Sequence, residues 1–271
     1  GIQFIKKIDD TLFVFFFMMR SSLVESLLVA FVSCLSTIGD SPNPSRAQMN
    51  KYALRSGLLE LPPYVPRRGY ADGPYGQVHF RDTGGEGLVP LVLCHMCPHT
   101  SKQFSAVYEL FRQHGVRAIG VDTPGFGESD PTPFVPTVED WAGSIVAVLD
   151  HLGIERAHVL GHHTGSKVAS EVALQFPERV MKLVLQGPTP YSEEQRLKNL
   201  QYVKENEIDL VYKTDGSHLS GQFEYRTRAW GRALGDGSAD PKLFTRYCSE
   251  IFQGYAPIWT GHHAAYIYDD E

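Results

Sequence analysis

The 271-residue chain is short of several things, and each shortage excludes something. It has four cysteines, Cys34, Cys94, Cys97 and Cys248, too few and too scattered for a disulfide framework, so they read as reduced thiols. It has no lysine and arginine cluster, and its formal net charge is −6, which argues against a nucleic-acid partner. It has no unbroken apolar run of about 20 residues, the length a membrane helix needs. The most apolar stretch, 11–38, is cut by Arg20 and Glu25 into two short halves. No internal repeat or low-complexity tract stands out. The chain opens on Gly1 and stops at Glu271 inside a helix-like run, which reads as incomplete at both ends.

Two readings of the first residues stand side by side. Lys6 and Lys7 ahead of Leu12–Met19 resemble the basic start and apolar core of an export signal, and Phe31-Val32-Ser33-Cys34 loosely matches a lipoprotein processing site. The favoured reading makes residues 1–48 a flank that does not pack into the core, with the domain proper beginning near Met49. The matching location is cytoplasmic; export or membrane anchoring through residues 11–38 is the alternative.

From Arg68 the pattern is regular. Gln77–Asp82 alternates like a short strand, and Val89–His95, Val116–Val121, Ala157–Leu160 and Val180–Leu185 are compact apolar runs suited to strands buried on both faces. Between them Phe104–Phe111, Val138–Leu152 and Ser166–Phe176 carry helical spacing, with Trp141, Ile145, Val148 and Leu149 on one stripe. Strand–helix alternation predicts a doubly wound, mostly parallel α/β sheet over 49–190, whose functional residues gather at the carboxyl ends of the strands. Those ends are His95–Pro98, Asp122–Gly127 and His162–Thr164. After Pro188 the texture changes to helices at Ser192–Glu205, Gln222–Leu234, Pro241–Gln253 and Ile258–Tyr268. Residues 191–271 therefore read as a helical lid over the strand ends.

The stretch Ala157–Ala169 (AHVLGHHTGSKVA) is the centre of the pattern. Gly161 and Gly165 lie two residues either side of His163, where a helix pattern follows a strand at once. Small flanking residues let such a turn close and push its central side chain out over the sheet. Together with His95-Met96-Cys97-Pro98 and Asp122-Thr123-Pro124-Gly125-Phe126-Gly127-Glu128-Ser129, this resembles the α/β-hydrolase superfamily. The likeness is to its capped esterase, epoxide-hydrolase and carbon–carbon hydrolase branch. Two departures from that family's pattern matter. His163 occupies the place usually held by a nucleophilic serine, and the strands that supply the family's catalytic acid and histidine would fall beyond Glu271.

The resemblance implies an oxyanion hole from the backbone amides of Cys97 and Thr164, with His163 as the central catalytic group, acting as nucleophile or as general acid/base. The expected substrate is a small, fairly apolar ester or related molecule, with Met96 and Trp230 lining its pocket. A non-catalytic ligand-binding member and a cofactor-independent lyase are the alternatives. Thr164, beside the apex, and Ser166, in the helix, read as structural, and His95 as a packing and hydrogen-bonding residue. Cys94 and Cys97 near His163 form a conceivable soft-metal set, but a thiol on a buried strand behaves as a small apolar residue. No metal and no cofactor are expected. His262 and His263 read as a solvated helix face. The aromatics Tyr225, Trp230, Tyr247 and Phe252 read first as core and second as pocket lining.

Overall fold

The computed structural model describes residues 66–105, 107–208, 213–234 and 241–270, with three short stretches at 7–8, 12–13 and 16–17. Those stretches are β1 (Lys7–Ile8), β2 (Leu12–Phe13) and β3 (Phe16–Phe17), of which β1 and β2 pair antiparallel. The rest of the apolar segment 11–38 lies outside the described residues.

The sheet is built from β3, β4 (Arg67–Gly73), β5 (Gly76–Asp82), β6 (Val89–Cys94), β7 (Val116–Val121), β8 (Ala157–His162) and β9 (Val180–Gln186). Its order is β3-β9-β8-β6-β7-β5-β4. The four apolar runs become β6 to β9, all parallel, with Leu91, Ile119, Val159 and Val184 among the buried side chains. Each run is apolar at consecutive positions because helices cover both faces of the sheet. The antiparallel hairpin β4–β5 closes one side. Of the two, β4 (RRGYADG) escapes sequence reading because it alternates nothing apolar; its partner strand holds it.

Two further differences have local causes. The helix expected over Phe104–Phe111 splits into a 3₁₀ turn at Ser101–Phe104 and α1 (Tyr108–Gln113), the turn being capped by the Thr100 side chain. The expectation that nothing before Met49 pairs with the core fails at β3, which runs parallel to β9 with Phe16 opposite Leu185. That strand edge has unpaired backbone groups, and a short extended segment satisfies them.

Helix α2 (Val138–His151) starts where the Asp140 carboxylate accepts the Thr137 N–H at 2.8 Å, and it buries Trp141, Ile145, Val148 and Leu149 completely. Helix α3 (Thr164–Gln175) follows β8 without a linker. The segment after β9 holds α4 (Glu193–Asn206), α5 (Ser217–Leu234), α6 (Pro241–Ile251) and α7 (Trp259–Ile267), with no strand between them among the described residues. It packs firmly on the core. Met96, Phe223, Phe252 and Ile258 close around Cys248 and Ile251 of α6, and Gly261 of α7 lies so near Cys97 that a Cβ there would be 2.3 Å from the Cys97 Cβ. Beyond α7 the chain returns to α3, where Tyr268 donates its hydroxyl to Glu171 at 2.7 Å and Lys167 pairs with Asp270. Among the described residues no helix is long and apolar enough to cross a membrane.

The chain winds from β6 to β7 and then crosses back to β8 on the other side of β6. The winding therefore reverses between the carboxyl ends of β6 and β8, the crevice where open α/β sheets bind ligands. His95–Pro98 leaves one of those ends and His162–Thr164 the other.

Candidate functional site

His163 sits on the strand-to-helix turn with φ 51° and ψ −117°, and among the described residues it alone has a positive φ without being glycine. A residue other than glycine in that region costs about 1–3 kcal/mol and persists only where surrounding structure enforces it. The enforcement is visible. The His163 N–H donates to the Gln186 carbonyl at 2.9 Å, and its own carbonyl accepts the Ser166 N–H at 2.8 Å. A Cβ on Gly161 would lie 2.1 Å from the Gly165 carbonyl oxygen, and one on Gly165 would lie 2.1 Å from the Cys94 carbonyl oxygen. Strand β8, helix α3 and the end of β6 thus meet through bare backbone.

The neighbours of the turn are spoken for. Ser166 shares its hydroxyl between the carbonyls of Gly161, at 2.9 Å, and Gln186, at 3.1 Å, which makes it structural. His162 is fully buried; its Nδ1 accepts from Gln103 Nε2 at 2.9 Å, while the Gln103 oxygen accepts the Met96 N–H at 3.1 Å. Gln103 so pins the His95–Pro98 turn to the end of β8. It was missed in the sequence because one glutamine in a polar turn carries no pattern.

His95 is locked as a structural imidazole. Its Nδ1 lies 3.0 Å from the Met96 carbonyl, and Nε2 accepts the Thr123 N–H at 3.0 Å, which assigns the proton to Nδ1. Below it, Asp122 gathers His79 Nδ1 at 2.8 Å and the N–H groups of Ser101 at 2.6 Å and Glu128 at 3.2 Å. Burial pushes the Asp122 carboxyl up, but the His79 hydrogen bond, the charges of His95 and His79 and the Ser101 amide outweigh it and bring it to about 2. Asp122 and His79 hold the Pro/Gly loop in place.

Cys97 lies on the turn that leaves β6, and Thr164 follows His163 after β8. The Met96 N–H of that turn donates to the Gln103 side chain. Thr164 is the first residue of α3, where an N–H has no intrahelical acceptor. His163 is partly exposed. Burial and then the charge of His262 hold its imidazole below the ordinary histidine range. Burial also raises the thiols, Cys94 to about 12 and Cys97 likewise upward, so both are protonated rather than the thiolates a metal would need. Among the described residues no three His, Cys, Asp or Glu side chains are arranged to hold a metal ion.

The helices after β9 correct two sequence readings. His262 is no simple solvated side chain: its Nδ1 meets both oxygens of Glu207, at 2.9 and 2.8 Å, and its ring stacks on Tyr266. His263 packs edge-on against Trp259. Tyr225, expected in a core, is 57% exposed. Met96 packs into the Cys248–Ile251 cluster, with Phe252 beside it. The side chains of Trp230 and Tyr247 lie outside the described residues.

A profile of the alpha/beta hydrolase fold matches residues 89–253. The chain belongs to the α/β-hydrolase fold family. Among curated proteins it is similar to a 2-hydroxy-6-oxononadienedioate/2-hydroxy-6-oxononatrienedioate hydrolase of Paraburkholderia phymatum. That pair is 41% identical over 115 residues, which are 41% of this chain and 40% of the relative. A like-named Pseudomonas putida enzyme is 38% identical over 148 residues, 53% of this chain and 46% of the relative. These matches thus span less than half of each relative's length. Among solved structures, a hydrolase from Pseudomonas aeruginosa superposes with TM-score 0.57 at 21% identity, over 74% of this chain and 71% of the other. An esterase from Exiguobacterium antarcticum gives 0.54 at 19%, over 74% and 72%. At those identities the likeness shows the fold.

Proposed function

We propose that this α/β-hydrolase chain is a hydrolase that acts on a small, fairly apolar ester or related substrate in the crevice between β6 and β8, with helices α4–α7 as its lid. One observation carries the reading. It is that His163 stands in strained backbone on the strand-to-helix turn at the carboxyl end of β8, with burial holding its imidazole below the ordinary histidine range, which supports a role as a base there.

The step balances with water as the nucleophile. Water gives a proton to the neutral His163 imidazole as its oxygen bonds to the carbonyl carbon. The carbonyl oxygen takes up the negative charge and accepts hydrogen bonds from the Cys97 and Thr164 amides, fixed donors aimed at a charge that develops only in the transition state. Collapse breaks the bond to the leaving alkoxide, which takes the proton back from the imidazolium. The curated relatives' names add 2-hydroxy-6-oxononadienedioate as a second substrate to try.

The replacement of a serine by His163 also favours a non-catalytic reading, in which the crevice only binds such molecules. Turnover of 4-nitrophenyl acetate and of 2-hydroxy-6-oxononadienedioate by wild type and His163→Ala separates the two. Loss of 100-fold or more in kcat on His163→Ala, the scale of a general base, supports catalysis. Equal turnover by the two proteins removes His163 from the chemistry.

A further inference from the structure

Away from the crevice, on the hairpin at the other side of the sheet, three arginines lie close together with too few acceptors. The β4–β5 register sets Arg68 directly opposite Arg81 and Tyr70 directly opposite His79, so all four share one face. Like charges facing each other across two strands repel. Arg81 is only 6% exposed, its Nε has no hydrogen-bond partner, and its nearest acid, Glu128, stands 3.8 Å away, beyond hydrogen-bonding reach. Glu128 meanwhile accepts the Tyr70 hydroxyl at 2.9 Å. Nearby Asp82 is taken by Arg117, at 2.6 Å. Arg67 and Arg68 are exposed, and neither side chain makes a hydrogen bond or ion pair among the described residues. Pro66, Arg67, Arg68, Tyr70 and Glu128 line a cleft of about 570 Å³.

A buried guanidinium without close acceptors is costly, and the cost is offset when an anion joins it. We propose that this cleft binds a small oxyanion, a carboxylate or phosphate group, on the Arg68 guanidinium with Arg67 at its rim, and that Arg81, on the same face behind the lining, adds its buried charge. Arginine suits that class because its planar fork meets two oxygens at once. The site is separate from the crevice: β6 and β7 stand between β5 and β8.

Calorimetric titration of the whole chain at low ionic strength, with inorganic phosphate and with succinate as separate probes, tests this. Saturable one-to-one binding of either is expected, and the tighter of the two names the source of the oxyanion. Arg68→Gln should weaken that binding at least tenfold, and Arg68→Glu should abolish it, with thermal unfolding unchanged because the side chain is exposed. Arg81→Gln removes the buried half but can also disturb folding, so Arg68 carries the decision. A response that does not saturate, or saturable binding of equal strength in Arg68→Gln, overturns the proposal.

Discussion

Gly165 backs onto Cys94 so closely that a Cβ would stand 2.1 Å from the Cys94 carbonyl oxygen. The first turn of α3 and the end of β6 therefore meet with no side chain between them. That contact holds the turn that carries His163 against the end of β6. Gly165→Ala should cost at least about 3 kcal/mol, because backbone on both sides must shift. For a chain of this size that lowers Tm by roughly 6–12 °C. Gly221 in α5 has open space around it, so Gly221→Ala should be neutral or stabilising by up to about 1 kcal/mol. Calorimetric melting of the two variants side by side checks the contrast.

The strain at His163 has its own signature. With φ at 51°, glycine fits the turn better than alanine. His163→Gly should melt higher than His163→Ala by the equivalent of about 1 kcal/mol, with neither variant active if the proposed role is right. Equal melting temperatures would mean the turn relaxes without its histidine.

A serine-directed fluorophosphonate supplies a covalent test of the same turn. Ser166 is tied to two carbonyls, so wild type should show no labelled peptide spanning Ala157–Lys167. Mass spectrometry that found the adduct on Ser166 would show this hydroxyl to be reachable and reactive, against the structural role given to it here.

Acid and alkali should act through different buried groups. Burial, then the charge of Lys182, lowers His158 to about 4 from an ordinary 6.5. Between those values the unfolded chain holds a proton that the folded one refuses, so stability falls as pH drops from 6.5 to 4, by about 3 kcal/mol from this group. His158→Gln should flatten that limb of a Tm–pH curve. Glu250 runs the other way. Burial raises it to about 7, partly offset by Lys102 and Arg246, so its folded form keeps a proton that the unfolded form has lost. Its contribution is full below about 4.5 and disappears as pH rises through about 7. Glu250→Gln should raise Tm at pH 8 and change little at pH 5.

Asp122 is the anchor of the Pro/Gly loop, and its carboxylate accepts from His79, Ser101 and Glu128. Asp122→Asn replaces one acceptor oxygen by an NH2 that faces a donor and removes the charge, and should cost about 3–5 kcal/mol. Because its folded value is about 2, the native contribution survives acidification to about pH 4 and fades only below that. Urea unfolding at pH 7 and at pH 3 reads both effects.

Local pattern by itself determined the frame. Apolar runs at Val89, Val116, Ala157 and Val180, spaced by amphipathic helices, could bury themselves only as a parallel sheet covered on both faces. Gly161 and Gly165 around His163 marked the tight turn, because no other residue lets strand, helix and neighbouring strand touch. What pattern could not carry was every pairing across distant chain. Gln103 bridges Met96 and His162, His79 meets Asp122, and Glu207 reaches His262 from the cap of α4. Polar partners of that kind need one atom in one place and leave no periodic trace. The same reason hid β4, whose charged residues form a strand only because β5 offers them a ladder, and with it the facing arginines Arg68 and Arg81. Hydrophobic burial is an average over many residues, so the sequence declares it. A hydrogen bond or a charge pair depends on register and on approach through space, so only the tertiary structure decided those.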